Sequence, residues 1–187
     1  MKILIADDES LIRMGLKSML RGMGHSVVEA SNGRDAVQIA MHNEPDLAIL
    51  DIHMPYMDGL HAARAIHKIR PIPVIILTAF GQDEIIEKAA QFPIHGYLVK
   101  PIETHDLKAA IAIATHRFKE AQALATEKAR LERQLETRKL VDRAKGKLMQ
   151  GGLSEDEAYR AIQRHSREKR ISMTAAAQSV LDWDTWD

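Results

Sequence analysis

The amino-acid sequence predicts a doubly wound α/β domain followed by a long helix and a small all-α three-helix module. Three observations lead there. Short aliphatic runs recur at Ile3 to Ile5, Val27 to Val28, Leu47 to Leu50, Val74 to Leu77 and Tyr97 to Val99, each the length of a short buried strand. Longer stretches between them place apolar residues at helical spacing. From Thr104 the chain carries neither Pro nor Gly until Gly146 and is dominated by Ala, Lys, Glu, Leu, Gln and Arg, the strong helix formers.

Taken in order, the first strand is followed by a helical stripe at Leu11, Met14 and Leu20, and the second by Ala36, Val37 and Ala40. The third is followed by Leu60, Ala63 and Ile66, and the fourth by Ile85, Ile86 and Ala89. Such strict alternation implies a parallel sheet, because parallel neighbours cannot be joined by hairpins, and right-handed crossovers then cover both faces. Pro45, Pro71, Pro73, Pro93 and Pro101 stand at the joints, where a missing N–H costs little. In the long helix an apolar seam runs through Leu107, Ile111, Ala114, Phe118, Ala121 and Ala125, then changes phase to Leu124, Leu131 and Leu135. An interrupted heptad of this kind predicts a short coiled coil with a stutter. Gly151 and Gly152 end the helix, and Ser154-Glu155-Asp156-Glu157 has the form of a capping box that opens a new helix at Glu155. A last helix is expected from Thr174 to Leu181. The expected division is 1–122 for the α/β domain, 123–136 for a linker helix and 137–187 for the small module.

Composition narrows the classes of function. Of 187 residues, 45% are apolar and 28% charged, the proportions of a globular protein. The absence of Cys excludes disulfides, thiolate metal sites and Cys nucleophiles, and it suits a reducing compartment, so a cytoplasmic location is expected. The longest strongly apolar stretch, Ile72 to Phe80, is about half of the ~20 residues a membrane-spanning helix needs, and no membrane association is expected. Lys2 and the short run Ile3 to Ala6 before Asp7, Asp8 and Glu9 do not make a signal peptide. The balanced net charge conceals an asymmetry: residues 138–170 hold ten Lys/Arg against five Asp/Glu. A basic appendage points towards an anionic partner.

Ligands of an open parallel sheet collect outside the carboxyl ends of its strands, where the strand order reverses. The predicted strand ends carry Asp7 and Asp8, Asp51, Thr78 and Lys100. Singly each has an ordinary explanation, as a helix N-cap, a strand hydroxyl or a solvated charge. Together they form a cluster in which three carboxylates repel one another unless a hard cation lies between them, and an all-oxygen site suits Mg²⁺. Lys100 adds a second positive charge and Thr78 a hydroxyl, a set able to neutralise the oxygens of a transferring phosphoryl group with Asp51 as nucleophile. His53, two residues after Asp51, reads as a rim side chain whose backbone matters. The spacing of His61 and His67 supports no zinc site. Met14, Met19, Met23, Met41, Met54 and Met57 are expected to fill core or rim gaps.

The motifs Ile3-Leu4-Ile5-Ala6-Asp7-Asp8-Glu9, Asp51-Ile52-His53-Met54-Pro55-Tyr56-Met57-Asp58-Gly59, Leu77-Thr78-Ala79 and Lys100-Pro101 resemble the receiver domain of two-component response regulators over about residues 1–122. The resemblance implies strand order 2-1-3-4-5 and a phosphoryl transfer to Asp51 from the phosphohistidine of a cognate histidine kinase. It further implies Mg²⁺ held by Asp8, Asp51 and the His53 backbone carbonyl, with Asp7 supporting the ion through water. Thr78 and Lys100 would contact the phosphoryl oxygens, and Tyr97 would be the aromatic that turns inward on activation.

The segment Val141-Asp142-Arg143-Ala144-Lys145-Gly146-Lys147-Leu148-Met149, with Glu157-Ala158-Tyr159 beyond it, resembles the ANTAR module across about residues 137–181. That resemblance implies recognition of hairpins in nascent RNA by a dimer, with transcription antitermination as the outcome. From the residues themselves, Arg160, Arg164 and Arg167 line one helical face as a basic stripe, and Lys145, Arg160 and Arg164 are the expected RNA contacts. Trp183 and Trp186 read as covers for the small core. The reading is therefore a phosphorylation-dependent antiterminator that becomes a homodimer when phosphorylated and is not an enzyme beyond its own Mg²⁺-dependent phosphoryl transfer and autodephosphorylation. The alternatives are a DNA-binding regulator with the same switch and a metal-dependent phosphohydrolase. The latter is disfavoured because a dedicated acid/base carboxylate would be needed where His53 stands.

Overall fold

The computed structural model describes residues 1–79 and 91–182, which fall into two compact units, Met1–Gln122 and Ala123–Asp187. The helix expected around Ile85, Ile86 and Ala89, and the core role expected for Trp183 and Trp186, lie outside the described residues.

In the first unit the described strands are β1 (Lys2–Ala6), β2 (Ser26–Ala30), β3 (Leu47–Asp51), β4 (Val74–Thr78) and β5 (Gly96–Val99), paired in parallel in the order β2-β1-β3-β4-β5. Helices α1 (Ser10–Gly22), α2 (Gly33–Asn43) and α3 (Gly59–Ile69) connect them, and α4 (Thr104–Gln150) follows β5. Period-two alternation divides the strand side chains between two buried layers. Leu4, Ala6, Leu50 and Ile76 pack with Ala36 and Ala40 of α2 and Ala63 and Ile66 of α3. Ile3, Ile5, Ile49 and Leu77 pack on the opposite face with Leu16 and Leu20 of α1 and Leu107, Ile111 and Ala114 of α4. A sheet buried on both faces explains why its strands read as continuous apolar runs.

The helix starts follow from their caps. Asn32 accepts the Asp35 N–H at the head of α2, and Asp58 accepts the His61 N–H at the head of α3. The helical stripe of α1 needs correction. Of the stripe Leu11, Met14 and Leu20, the first two are 77% and 61% exposed, and the inward positions are Leu20 and Leu16. Met41 of α2 is likewise exposed, so neither Met14 nor Met41 fills a core gap.

A further correction concerns α4. Leu107, Ile111 and Ala114 are buried against the sheet, while Leu124, Leu131 and Leu135 are exposed. The phase change is therefore no stutter within one coiled coil. It marks where the helix stops covering the sheet, and the heptad break records two different environments along one helix.

The second unit contains the C-terminal part of α4 with α5 (Glu155–Lys169) and α6 (Met173–Asp182). Helix α4 closes through Gly151 and Gly152, whose N–H groups reach Leu148 O and Met149 O at 3.0 Å each, and Gly152 takes φ 99°, which a side chain would strain. Ser154 then forms the capping box read from the sequence: its hydroxyl accepts the Glu157 N–H, and its own N–H donates to Glu157 Oε2 at 2.9 Å. Val141, Ala144 and Leu148 of α4 meet Ala158 and Ile162 of α5 and Ala176, Ala177 and Val180 of α6. Among the described residues no helix is long and apolar enough to cross a membrane.

Candidate functional site

The sheet order puts the carboxyl ends of β1 and β3 side by side, since Ala6 pairs with Leu50 in parallel register. The next residues out, Asp7 and Asp51, therefore leave the two strands as neighbours. Both are buried, Asp7 fully and Asp51 at 6% exposure. Their second partners come from the backbone: Asp7 Oδ1 accepts the Glu9 N–H at 2.8 Å, and Asp51 Oδ2 accepts the His53 N–H at 2.7 Å. Arg13 holds the β1–α1 loop by donating to the carbonyls of Asp7 and Asp8 at 2.7 and 3.1 Å.

Lys100 completes the cluster. Its ammonium lies 2.7 Å from Asp51 Oδ1 and 2.8 Å from Asp7 Oδ2, with Glu9 Oε1 farther out at 3.6 Å. The facing Lys100 ammonium is the counter-charge of Asp7 Oδ2, a buried atom that holds no directed hydrogen bond. Lys100 reaches this position because it directly follows β5, where its N–H bonds the Thr78 carbonyl at 2.8 Å; the Lys100–Pro101 peptide is cis.

These contacts set the electrostatics. Burial, reinforced by the neighbouring Asp7 charge, outweighs the Lys100 hydrogen bond and holds Asp51 above the ordinary carboxylate range. For Lys100 burial opposes the ammonium, but the Asp51 and Asp7 carboxylates held against it outweigh burial and raise its pKa. The site thus joins a desolvated carboxylate to a fixed positive charge, which suits nucleophilic attack on an electrophile carrying negative oxygens.

The other expected residues divide. Thr78 is buried at the end of β4, its hydroxyl donating to Ala79 O at 3.2 Å. Tyr97 is half-buried against the α2 and α3 layer, and burial raises its phenol pKa. Asp8 is exposed, and among the described residues no three Asp, Glu or His side chains converge as a ligand set. Asp7 and Asp51 are the buried pair, with the Lys100 ammonium lying where their repulsion calls for positive charge, and Asp8 stands at the exposed edge.

Sequence reasoning missed Gly59. A Cβ there would stand 2.0 Å from the Asp51 carbonyl oxygen, so the head of α3 can back onto the Asp51 strand only through a glycine. The signal was present as Asp58-Gly59, an N-cap followed by the residue that permits close approach.

In the second unit Lys145 is not a free cation. It donates to Glu155 at 2.7 Å, lies 3.0 Å from Asp142, and is raised above the usual lysine pKa by these two carboxylates. Arg160 and Arg164 are exposed on the outer face of α5; Arg160 faces Glu157, while Arg143, Arg164 and Arg167 hold no ion pair among the described residues.

The response regulator receiver domain matches residues 3–112 and the ANTAR domain matches residues 129–181. The chain is a response regulator. It is 45% identical to the transcriptional regulatory protein PdtaR of Mycobacterium tuberculosis, across 97% of this chain and 89% of that protein. It is 35% identical to the transcriptional regulatory protein YdfI of Bacillus subtilis over 59% of this chain and 54% of that one. A receiver domain from Clostridium thermocellum superposes with a TM-score of 0.59 at 36% identity, covering 64% of this chain and 98% of its own. A receiver domain joined to an ANTAR domain makes this a phosphorylation-dependent antiterminator response regulator that binds RNA. Its receiver implies a cognate histidine kinase.

Proposed function

We propose that Asp51 is the phosphoacceptor of this response regulator and that the pair Asp7–Lys100 prepares it. The observation that carries the proposal is the Lys100 ammonium held between the two buried carboxylates. In the transfer, an Asp51 oxygen forms the new O–P bond while the P–N bond of the kinase phosphohistidine breaks, and the imidazole leaves with the electron pair. Lys100 moves its charge from the Asp51 carboxylate to the incoming phosphoryl oxygens, and the Thr78 hydroxyl donates to another of them. Tyr97 then follows Thr78 inward.

The oxygen-only donors Asp7, Asp8, Asp51 and the His53 carbonyl fit a hard divalent cation, and the buried Asp7 Oδ2 holds no directed hydrogen bond. Asp8, Asp51 and the His53 carbonyl are the residues that would hold Mg²⁺, with Asp7 in support. When bound it supplies charge neutralisation at the transferring oxygens. For the second unit, exposed Arg160 and Arg164 are the RNA phosphate contacts, while Lys145 contributes only if the RNA displaces Asp142 or Glu155. Leu124, Leu131 and Leu135 offer an exposed seam for a homodimer formed on phosphorylation. The division 1–122, 123–136 and 137–187 follows these roles, and the protein acts in the cytoplasm as a switch whose chemistry is confined to its own phosphorylation.

The test is incubation with acetyl phosphate and Mg²⁺. The wild type acquires acid-stable, base-labile phosphate, whereas Asp51→Asn and a metal-free sample acquire none. Incorporation by Asp51→Asn at the wild-type level places the acceptor elsewhere.

A further inference from the structure

The face of α4 that covers the small core does not stop where the core does. Ala129, Arg133, Thr137 and Val141 recur every four residues and so share one side of the helix. Val141 is buried beneath α5 and α6, whereas Arg133, two turns earlier, is exposed. The step between them opens a groove of about 950 Å³ within the second unit, with Tyr159 of α5 and Met173 of α6 among its lining residues.

The lining is unusual in combining three chemistries. Ala129, Val141 and Met173 give an apolar floor. Tyr159, the one aromatic residue among the described residues of this unit, remains 44% exposed in the groove although an apolar core lies beside it. Arg130, Arg133, Arg138 and Lys145 also line the groove, with Asp142 as the one acid of the lining, paired with Lys145 at 3.0 Å and Arg138 at 3.9 Å. The core of a protein interface is depleted in charge, so this lining does not suit a partner helix. An apolar slot with an aromatic wall and guanidinium groups at its rim is instead the chemistry that takes an unstacked base from a single-stranded loop. Asp142 would repel a phosphate but can accept an N–H from a base edge.

We infer that this groove seats one unstacked nucleobase of an RNA loop, with Tyr159 as the stacking platform and Arg133 holding an adjacent phosphate. The inference rests on the RNA-binding reading and deepens it, because it separates base recognition in the groove from phosphate attraction on the outer face of α5. Arg133 is the apt cation, since it carries no ion pair among the described residues whereas Arg130 is tied to Glu127 at 2.7 Å.

The experiment uses the full chain phosphorylated with acetyl phosphate and a pool of RNA hairpins with one stem and randomised loops. The tightest hairpin is remade with each loop position abasic in turn. One abasic position should weaken wild-type binding about tenfold, the scale of a single base–aromatic stack. Tyr159→Leu should bind the intact hairpin about tenfold more weakly and no longer distinguish it from that abasic form, with an unchanged salt slope. Tyr159→Phe should behave as wild type. Ala129→Trp, which fills the groove from outside the core, should reproduce the Tyr159→Leu loss, guarding against a folding defect at Tyr159. Wild-type hairpin affinity and abasic discrimination in both Tyr159→Leu and Ala129→Trp would overturn the groove assignment. A loss of self-association in sedimentation without any change in hairpin affinity would give the groove to a second copy of the chain. Failure of the wild type to retain any hairpin would instead overturn the RNA-binding reading itself.

Discussion

The ring Nδ1 of His95 lies 3.2 Å from the backbone N of Val74 and accepts its N–H, so the histidine side chain completes the hydrogen bonding at the start of β4. Only an unprotonated Nδ1 can do this. The ring also meets Phe118 edge-on at 5.1 Å between centroids.

Burial first, and then the charge of His67, lower the His95 pKa below the ordinary 6.5. Between the lowered folded value and 6.5 the unfolded chain binds more protons than the native one, so stability falls as pH falls through that window. Urea midpoints measured from pH 7.5 to 5 should decline for the wild type. His95→Asn keeps an acceptor near the Nδ1 position but cannot protonate, and its midpoints should decline less. Parallel curves for the two proteins would remove His95 from the acid sensitivity.

Lys100→Met removes the cation shared by Asp7 and Asp51. Leaving buried acceptors without their partner costs about 1–3 kcal/mol, to be read from denaturant unfolding in a chelator. The loss should shrink at low pH, where the carboxylates become neutral. Added Mg²⁺ should recover part of it by binding the native state alone. An unchanged stability in the chelator would show that the ion pair contributes nothing to the fold.

Gly59→Ala forces a methyl group against the Asp51 carbonyl, which belongs to the backbone and cannot step aside. Overpacking of this kind costs about 1–3 kcal/mol. Because the displaced atom belongs to Asp51, phosphate incorporation from acetyl phosphate should fall together with the thermal midpoint. A variant with native stability and native phosphorylation would mean that α3 can shift freely at its head.

Gly146 poses the opposite case. It stands within α4 at an ordinary φ, with nothing within 4 Å of the position a Cβ would take. Gly146→Ala should therefore stabilise the chain by about 0.5–1 kcal/mol, through the smaller entropy lost on forming the helix. A rise in the thermal midpoint accompanied by weaker hairpin binding would identify the glycine as a place of close RNA approach. A fall in the midpoint would contradict the open space around it.

Local and periodic information determined a large part of this protein. The alternation of apolar runs with helical stripes specified the parallel sheet and its two covering layers, because parallel strands have no other way to be connected. Ser154 and Glu157 announced the head of α5, and Gly151 and Gly152 the end of α4, because a cap is satisfied within a few residues of chain. Asp51, Thr78 and Lys100 were legible as a group because each sits at a strand end and parallel strands all end on the same edge.

Tertiary structure decided what those residues touch. Periodicity marks a stripe on a helix but not the direction it faces, so of the stripe Leu11, Met14 and Leu20 only Leu20 turned inward, beside Leu16, while Leu11 and Met14 emerged on the surface. One seam along α4 divided into a buried half and an exposed half, because the sheet it covers ends before the helix does. Lys145 was read as an RNA contact, yet Asp142 and Glu155 lie against it, and the latter comes from a different helix. Three acidic residues were expected at these strand ends; the register of β1 beside β3 buries Asp7 and Asp51 side by side with Lys100 between them, and Asp8 is exposed. Residue types and spacing follow from the chain itself, whereas side-chain partners depend on which distant segments the packing of the two cores brings together.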